Sequence, residues 1–265
     1  PIQYELLKTS KPENGPLPTG LETSTFVVQN AGTESASVGV YYYDGNGTHI
    51  AAADRRFESV AGGENRFALD AENAGLELPY HGYATSSSLE PVSSVLVREL
   101  TTPGNSDSHS YSVTTVSSAG SPEVALPILL SELGGFRWNS RITVRNVGTE
   151  LACIRVSYFV TRSLGDAALG DQVVDTQSGQ PGCPEGFSIA AGAQLTFGGG
   201  EWSDHPFPDQ VLNTQSGGLL EVINATGNKD IVAAVDLYRS DGNRLFGSYD
   251  GFAVRPDDPG SDDVG

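Results

Sequence analysis

Methionine is absent from these 265 residues, and there are only two cysteines, three lysines and four histidines. Basic side chains are scarce: 15 Lys and Arg face 33 Asp and Glu, for a net charge of −18. That balance excludes a nucleic-acid partner, because phosphate binding needs a clustered basic surface. The longest apolar run, Val124 to Leu130, falls far short of the ~18–20 residues of a helical membrane span. The first residues, Pro1-Ile2-Gln3-Tyr4-Glu5, do not form a signal peptide, so the chain is expected to be a mature product or a trimmed piece, with any targeting segment already removed.

Catalytic signatures are also missing. There is no Gly-x-Ser-x-Gly elbow, and no His-x-x-x-His or Cys-x-x-Cys pair for a metal. Gly198-Gly-Gly200 lacks the lysine of a phosphate loop. His205 could join Glu201 and Asp204 in a site, but it lies on an expected loop, where a histidine is ordinarily just solvated. The expectation is a non-enzymatic protein with no cofactor and no metal.

What is present is glycine (32), proline (15) and enough apolar residues (38%) for a packed core. No stretch keeps a helical apolar period. An internal repeat is the strongest signal. Residues 26–43 (FVVQNAGTESASVGVYYY) match 142–159 (ITVRNVGTELACIRVSYF) without gaps at an offset of 116. Phe57–Phe67 then matches Phe187–Phe197 at an offset of 130, which implies about fourteen extra residues between Val160 and Phe187. Glu90–Val97 lies over Asp230–Leu237, and Ile2–Ser10 resembles Val124–Leu133. Three blocks in one order point to two homologous units, 1–120 and 121–254, followed by an acidic tail, 255–265.

Alternate apolar residues in Phe26–Val28, Val38–Tyr42 and their counterparts predict strands. Asn-x-Gly-Thr between them suits a tight turn, so each copy is expected to hold a strand–turn–strand hairpin. Phe26/Ile142, Val28/Val144, Val40/Val156 and Phe67/Phe197 are expected in equivalent core sites. Seven or eight short strands per copy predict an all-β protein of two tandem Ig-like antiparallel β-sandwich domains. A small jelly roll is the alternative.

The order of motifs is a Leu-Leu strand, a strand ending [QR]-N-x-G-T, an A-x-V-x-V-x-Y strand, then F-x-x-x-A-G-x-x-x-x-F. It resembles secreted Ig-like repeat modules of bacterial cell-surface proteins of the Chloroflexota type. The resemblance implies an extracellular or cell-surface β-sandwich and carries no functional residues.

Cys153 and Cys183 both fall in the second copy, with Cys183 inside its insertion. A disulfide closing that ~30-residue loop would add roughly 3–4 kcal/mol in the chain-entropy model. Tyr41 and Tyr43 flank a core-facing Tyr42, so they should project together, as a glycan or partner contact or as cover for their own chain. Asn46-Gly-Thr and Asn224-Ala-Thr are N-glycosylation sequons. Asp44-Gly-Asn-Gly and Asp241-Gly-Asn are expected to be tight turns. Ile2, Tyr4 and Leu6 share one face of an N-terminal strand, which could complete its own sandwich or be donated to a neighbour. Three readings of function follow. The first is a structural subunit of a surface layer, sheath or filament, with self-association or other cell-surface components as partners. The second is an adhesin or carbohydrate-binding module. The third is an accessory part of a secreted hydrolase.

Overall fold

The computed structural model describes residues 2–8, 21–69, 75–76, 80–101, 109–115, 120–135, 137–176, 178–180, 182–198, 204–224, 227, 229–239 and 244–254. The tail 255–265, Glu201 and the Asp241 turn lie outside the described residues.

Among the described residues the chain is all β, apart from single 3-10 turns at Ala51–Ala53 and Asp209–Val211. The first eight strands are β1 (Ile2–Lys8), β2 (Leu21–Asn30), β3 (Ala36–Asp44), β4 (Arg55–Val60), β5 (Asn65–Leu69), β6 (Tyr80–Ser88), β7 (Val92–Thr101) and β8 (His109–Thr115). They form two antiparallel sheets, β1-β6-β3-β4 and β5-β2-β7-β8. Phe26, Val28, Val38, Val40, Tyr42, Ala84 and Leu96 fill one core there. The remaining strands are β9 (Glu123–Ser131), β10 (Trp138–Asn146), β11 (Ala152–Ser163), β12 (Gln172–Asp175), β13 (Ser178–Gln180), β14 (Cys183–Glu185), β15 (Phe187–Ile189), β16 (Gln194–Gly198), β17 (Thr214–Val222), β18 (Ile231–Arg239), β19 (Arg244–Asp250) and β20 (Phe252–Ala253). Their main sheets are β12-β11-β17-β9-β20, with β15 also on β11, and β16-β10-β18-β19. Ile142, Val144, Ile154, Val156, Tyr158, Phe197 and Val235 belong to a second core.

The pairings of the two halves run in step. β2 lies between β5 and β7, as β10 lies between β16 and β18; β6 joins β1 to β3, as β17 joins β9 to β11. The two central pairings of the immunoglobulin sandwich, second strand with fifth and third with sixth, are both present. β1 sits beside β6 at the edge of its sheet, and β7 sits beside β2.

Two expectations are corrected. Asn-x-Gly-Thr does not close a hairpin. β2 and β3 belong to opposite sheets, and so do β10 and β11, so the motif carries the chain from one layer to the other. The Asn side chain makes that corner rigid. Asn30 Nδ2 donates to the carbonyls of Glu34 (2.7 Å) and Val60 (2.9 Å), while Oδ1 accepts the Gly32 amide (2.9 Å). Asn146 does the same with Glu150 (2.6 Å), Ile189 (2.9 Å) and Gly148 (2.9 Å). Both side chains are fully buried. A buried amide must find its partners inside the protein, and here they lie in the connecting loop and on the opposite sheet.

The second correction concerns Phe67, which is 58% exposed while Phe197 is buried. A bulge causes it. Ala36 and Val38 pair with Val60 and Phe57, so β4 spends one extra residue, and Ser59 there takes a positive φ of 53°. In the second half Ala152–Ile154 pairs evenly with Ile189–Phe187. Beyond the bulge the true offset is therefore 129, and Ala68, not Phe67, pairs with Phe26 as Phe197 pairs with Ile142. The slip persists: Val92 opposite Asn30 corresponds to Ile231 opposite Asn146, one residue away from the gapless match of Glu90–Val97. The other three core pairs are buried in matching registers.

Candidate partner-binding surfaces

β3 alternates cleanly because one of its faces is core. Tyr42 points inward, and Tyr41 and Tyr43 point out, each half-buried. The tight turn at Asp44–Gly47 then folds the chain back. Asp44 Oδ1 accepts the amides of Asn46 (2.9 Å) and Thr48 (2.7 Å), and Gly47 donates to the Asp44 carbonyl. This return brings His49 beside both tyrosines, 5.1 Å from Tyr43 and 6.2 Å from Tyr41 between ring centres. His49 Nε2 bonds the Asp54 carboxylate at 2.9 Å.

Tyr43 is not an open platform. Its ring stacks on Tyr83 of β6 at 4.8 Å and 9°, and Tyr83 is almost completely buried. The Arg145 guanidinium carbon lies 3.1 Å from the centre of the Tyr83 ring. Arg145 is on β10, so this stack of residues from the first half ends on a cation from the second. Burial lowers the Arg145 guanidinium to about 10, against the pull of Tyr83 and Tyr43. The group therefore stays cationic at neutral pH. Burial pushes the Tyr83 hydroxyl up to about 12, with Arg145 opposing. Two of the arginine nitrogens, Nε and Nη1, have no hydrogen-bond partner among the described residues, so the ring face is their compensation.

The contact continues beside this stack. The Gln194 amide donates to the Gly45 carbonyl at 3.0 Å. Gly47 approaches Gly192 so closely that a Cβ there would stand 2.8 Å from the Gly192 carbonyl. Outward residues of β10 (Asn139, Arg141, Thr143 and Arg145) are buried, as well as its core-facing ones, Asn139 by the turn before β10 and Arg145 by the first half. Within that face Arg141 and Asp236 form a buried ion pair, Nε to Oδ2 at 3.1 Å.

The other singled-out residues fall elsewhere. Cys153 and Cys183 are bonded, with Cα atoms 5.4 Å apart, and both are buried. The bond ties the β13–β14 hairpin onto β11 on the side opposite Ile154. Asn46 sits on the exposed turn. Asn224 is structural: its Oδ1 accepts the Cys153 amide (2.8 Å) and its Nδ2 donates to Leu151 (3.1 Å). Ile2, Tyr4 and Leu6 lie on β1, whose backbone pairs with β6 of the same chain, Tyr4 opposite Ala84. His205 packs on Phe187 and Phe197, and Asp204 is engaged with the Thr196 amide at 2.7 Å. Burial raises the Asp175 carboxyl, with His205 opposing.

Sequence reasoning reached Tyr41 and Tyr43 but missed Tyr83, His49 and Arg145. One signal was available: the two copies differ at the first motif position, Gln29 against Arg145. The chain matches no protein-family model, no curated protein and no solved structure.

Proposed function

We propose that this chain is a non-enzymatic extracellular structural subunit, built from two tandem Ig-like modules and serving in a surface layer, sheath or filament. The observation that supports the reading best is the Arg145–Tyr83 contact: an outward sheet face of one half is buried against the other. Sheet faces thus act as docking surfaces between modules in this protein. The buried disulfide fits an oxidising compartment, and a net charge of −18 keeps such a surface solvated. β1, at the edge of its sheet, is a second route to assembly, since an edge strand can be exchanged between neighbours.

The half-exposed pair of Tyr41 and His49 favours a second reading, a glycan-binding or adhesive module. Negative-stain microscopy of the purified protein, together with a glycan array, separates the two. Ordered polymers or sheets support the structural reading. A monomer that binds a defined glycan, and loses it with Tyr41→Ala, replaces it.

A further inference from the structure

Resting on that structural reading, we infer that copies of this chain associate head to tail. The outer face of sheet β12-β11-β17-β9-β20 of one copy docks on the outer face of sheet β5-β2-β7-β8 of the next. The sheet-face part of the internal contact, distinct from the approach of β8 to β19, supplies the template. The first half offers Tyr43 and Tyr83, paired across β3 and β6, and the turn after β3. The second half receives them with β10, the Gly192 turn and Gln194.

Strand register identifies the corresponding positions in the other half. On the offering side, Phe159 opposite Gly217 stands where Tyr43 stands opposite Tyr83. The hairpin between β11 and β12 replaces the Asp44–Gly47 turn. The end of this face at the β11–β12 hairpin is apolar and exposed: Leu164 is 58% exposed, Leu169 72% and Val174 48%, with Phe159 exposed beside them, while the β13–β14 hairpin covers the face near Cys153. On the receiving side, Gln29 corresponds to Arg145, Val27 to Thr143 and Phe67 to Thr196. The row Phe67–Val27–Val95 crosses three strands there, and Phe67 is among the most exposed large apolar residues. Gly63 corresponds to Gly192. A Cβ on Gly63 would meet nothing within 4 Å, whereas one on Gly192 would meet the Tyr83 hydroxyl at 3.8 Å and Gly47 at 3.9 Å.

Each half therefore exposes an apolar version of the surface that its counterpart buries. Exposed apolar groups that cluster on one face mark association sites. The internal contact is a cation on an aromatic ring and the two end faces are apolar, so the ends fit each other. The two faces differ, so the contact is heterologous and a chain of copies grows without closing. Subunits of charge −18 repel one another, and salt, by screening that repulsion, strengthens the association.

Analytical ultracentrifugation of the full chain over a concentration and salt series tests this, with Phe67→Asp and Leu169→Asp as variants. Both side chains are exposed, so circular dichroism should show unchanged folding. The expected result is a concentration-dependent ladder for the wild type, strengthened by salt, and association about tenfold or more weaker for each variant alone. A mixture of the two variants should stop at dimers, because one live face of each kind remains. A monomeric wild type, variants that assemble like the wild type, or a mixture that stays monomeric overturns the contact. If the variants assemble normally but removal of residues 1–10 abolishes assembly, strand exchange through β1 is the contact instead, and the structural reading stands.

Discussion

The Arg145 guanidinium is stacked on the ring of Tyr83, 3.1 Å from its centre, and so buries a cation of one half against an aromatic of the other. A desolvated cation–aromatic pair contributes on the order of 2 kcal/mol. Neither residue is part of either core cluster, so the pair couples two separate cores, alongside the approach of β8 to β19. Arg145→Ala and Tyr83→Ala should therefore each weaken the coupling between the halves, read as a lower Tm and a broader calorimetric transition. A double-mutant cycle should give a coupling of about 1–2 kcal/mol. Full additivity would mean that the stack does not hold the halves together.

The two buried asparagines should behave alike. Asn30→Ala and Asn146→Ala each remove three hydrogen bonds, one of them to a buried carbonyl, that of Val60 or Ile189. Each change should cost about 2–4 kcal/mol in urea unfolding, confined to its own half. A cost below the uncertainty of the measurement would show that the corner is held by its backbone alone.

Cys153 and Cys183 should yield no free thiol in unreduced, denatured protein. Reduction should destabilise only the second half, by about 3 kcal/mol for a loop of this length. Two titratable thiols would remove the disulfide and, with it, one support for an extracellular site.

Tyr158 places its hydroxyl in the second core with no hydrogen-bond partner among the described residues. Burial holds its pKa well above the usual tyrosine value. Tyr158→Phe should therefore raise stability, by about 1 kcal/mol, read as a higher Tm. A lower Tm would mean that the hydroxyl is solvated or bonded.

Asp175 has a carboxyl whose pKa is raised on folding by burial, with His205 opposing. A raised acid binds its proton more tightly when folded, so its contribution to stability is full below the ordinary carboxylate value. That contribution is lost as pH rises through the folded value. Asp175→Asn fixes the neutral form. Its Tm should match the wild type near pH ~3 and exceed it at neutral pH. A difference that does not change with pH would rule out titration of Asp175 as its source.

Much of this protein was determined by its sequence alone. Two-residue periodicity marked Phe26, Val28, Val40 and Tyr42 as core, because alternate side chains of a strand face opposite sides. Confinement of both cysteines to the copy with the insertion pointed to their pairing. The repeated Asn-x-Gly-Thr was visible as a unit, but not what it does. A hairpin and a layer crossing have the same local sequence, and only the far partners Val60 and Ile189 distinguish them. Likewise, one extra residue at Ser59 shifts β5 by one position against its counterpart β16, and a one-residue shift puts the opposite face of a strand on the core. A gapless alignment cannot register that slip, so Phe67 looked like core. The burial of Arg145 on Tyr83 joins residues 62 positions apart. No local pattern encodes it, and only the docking of one sheet face on another decided it.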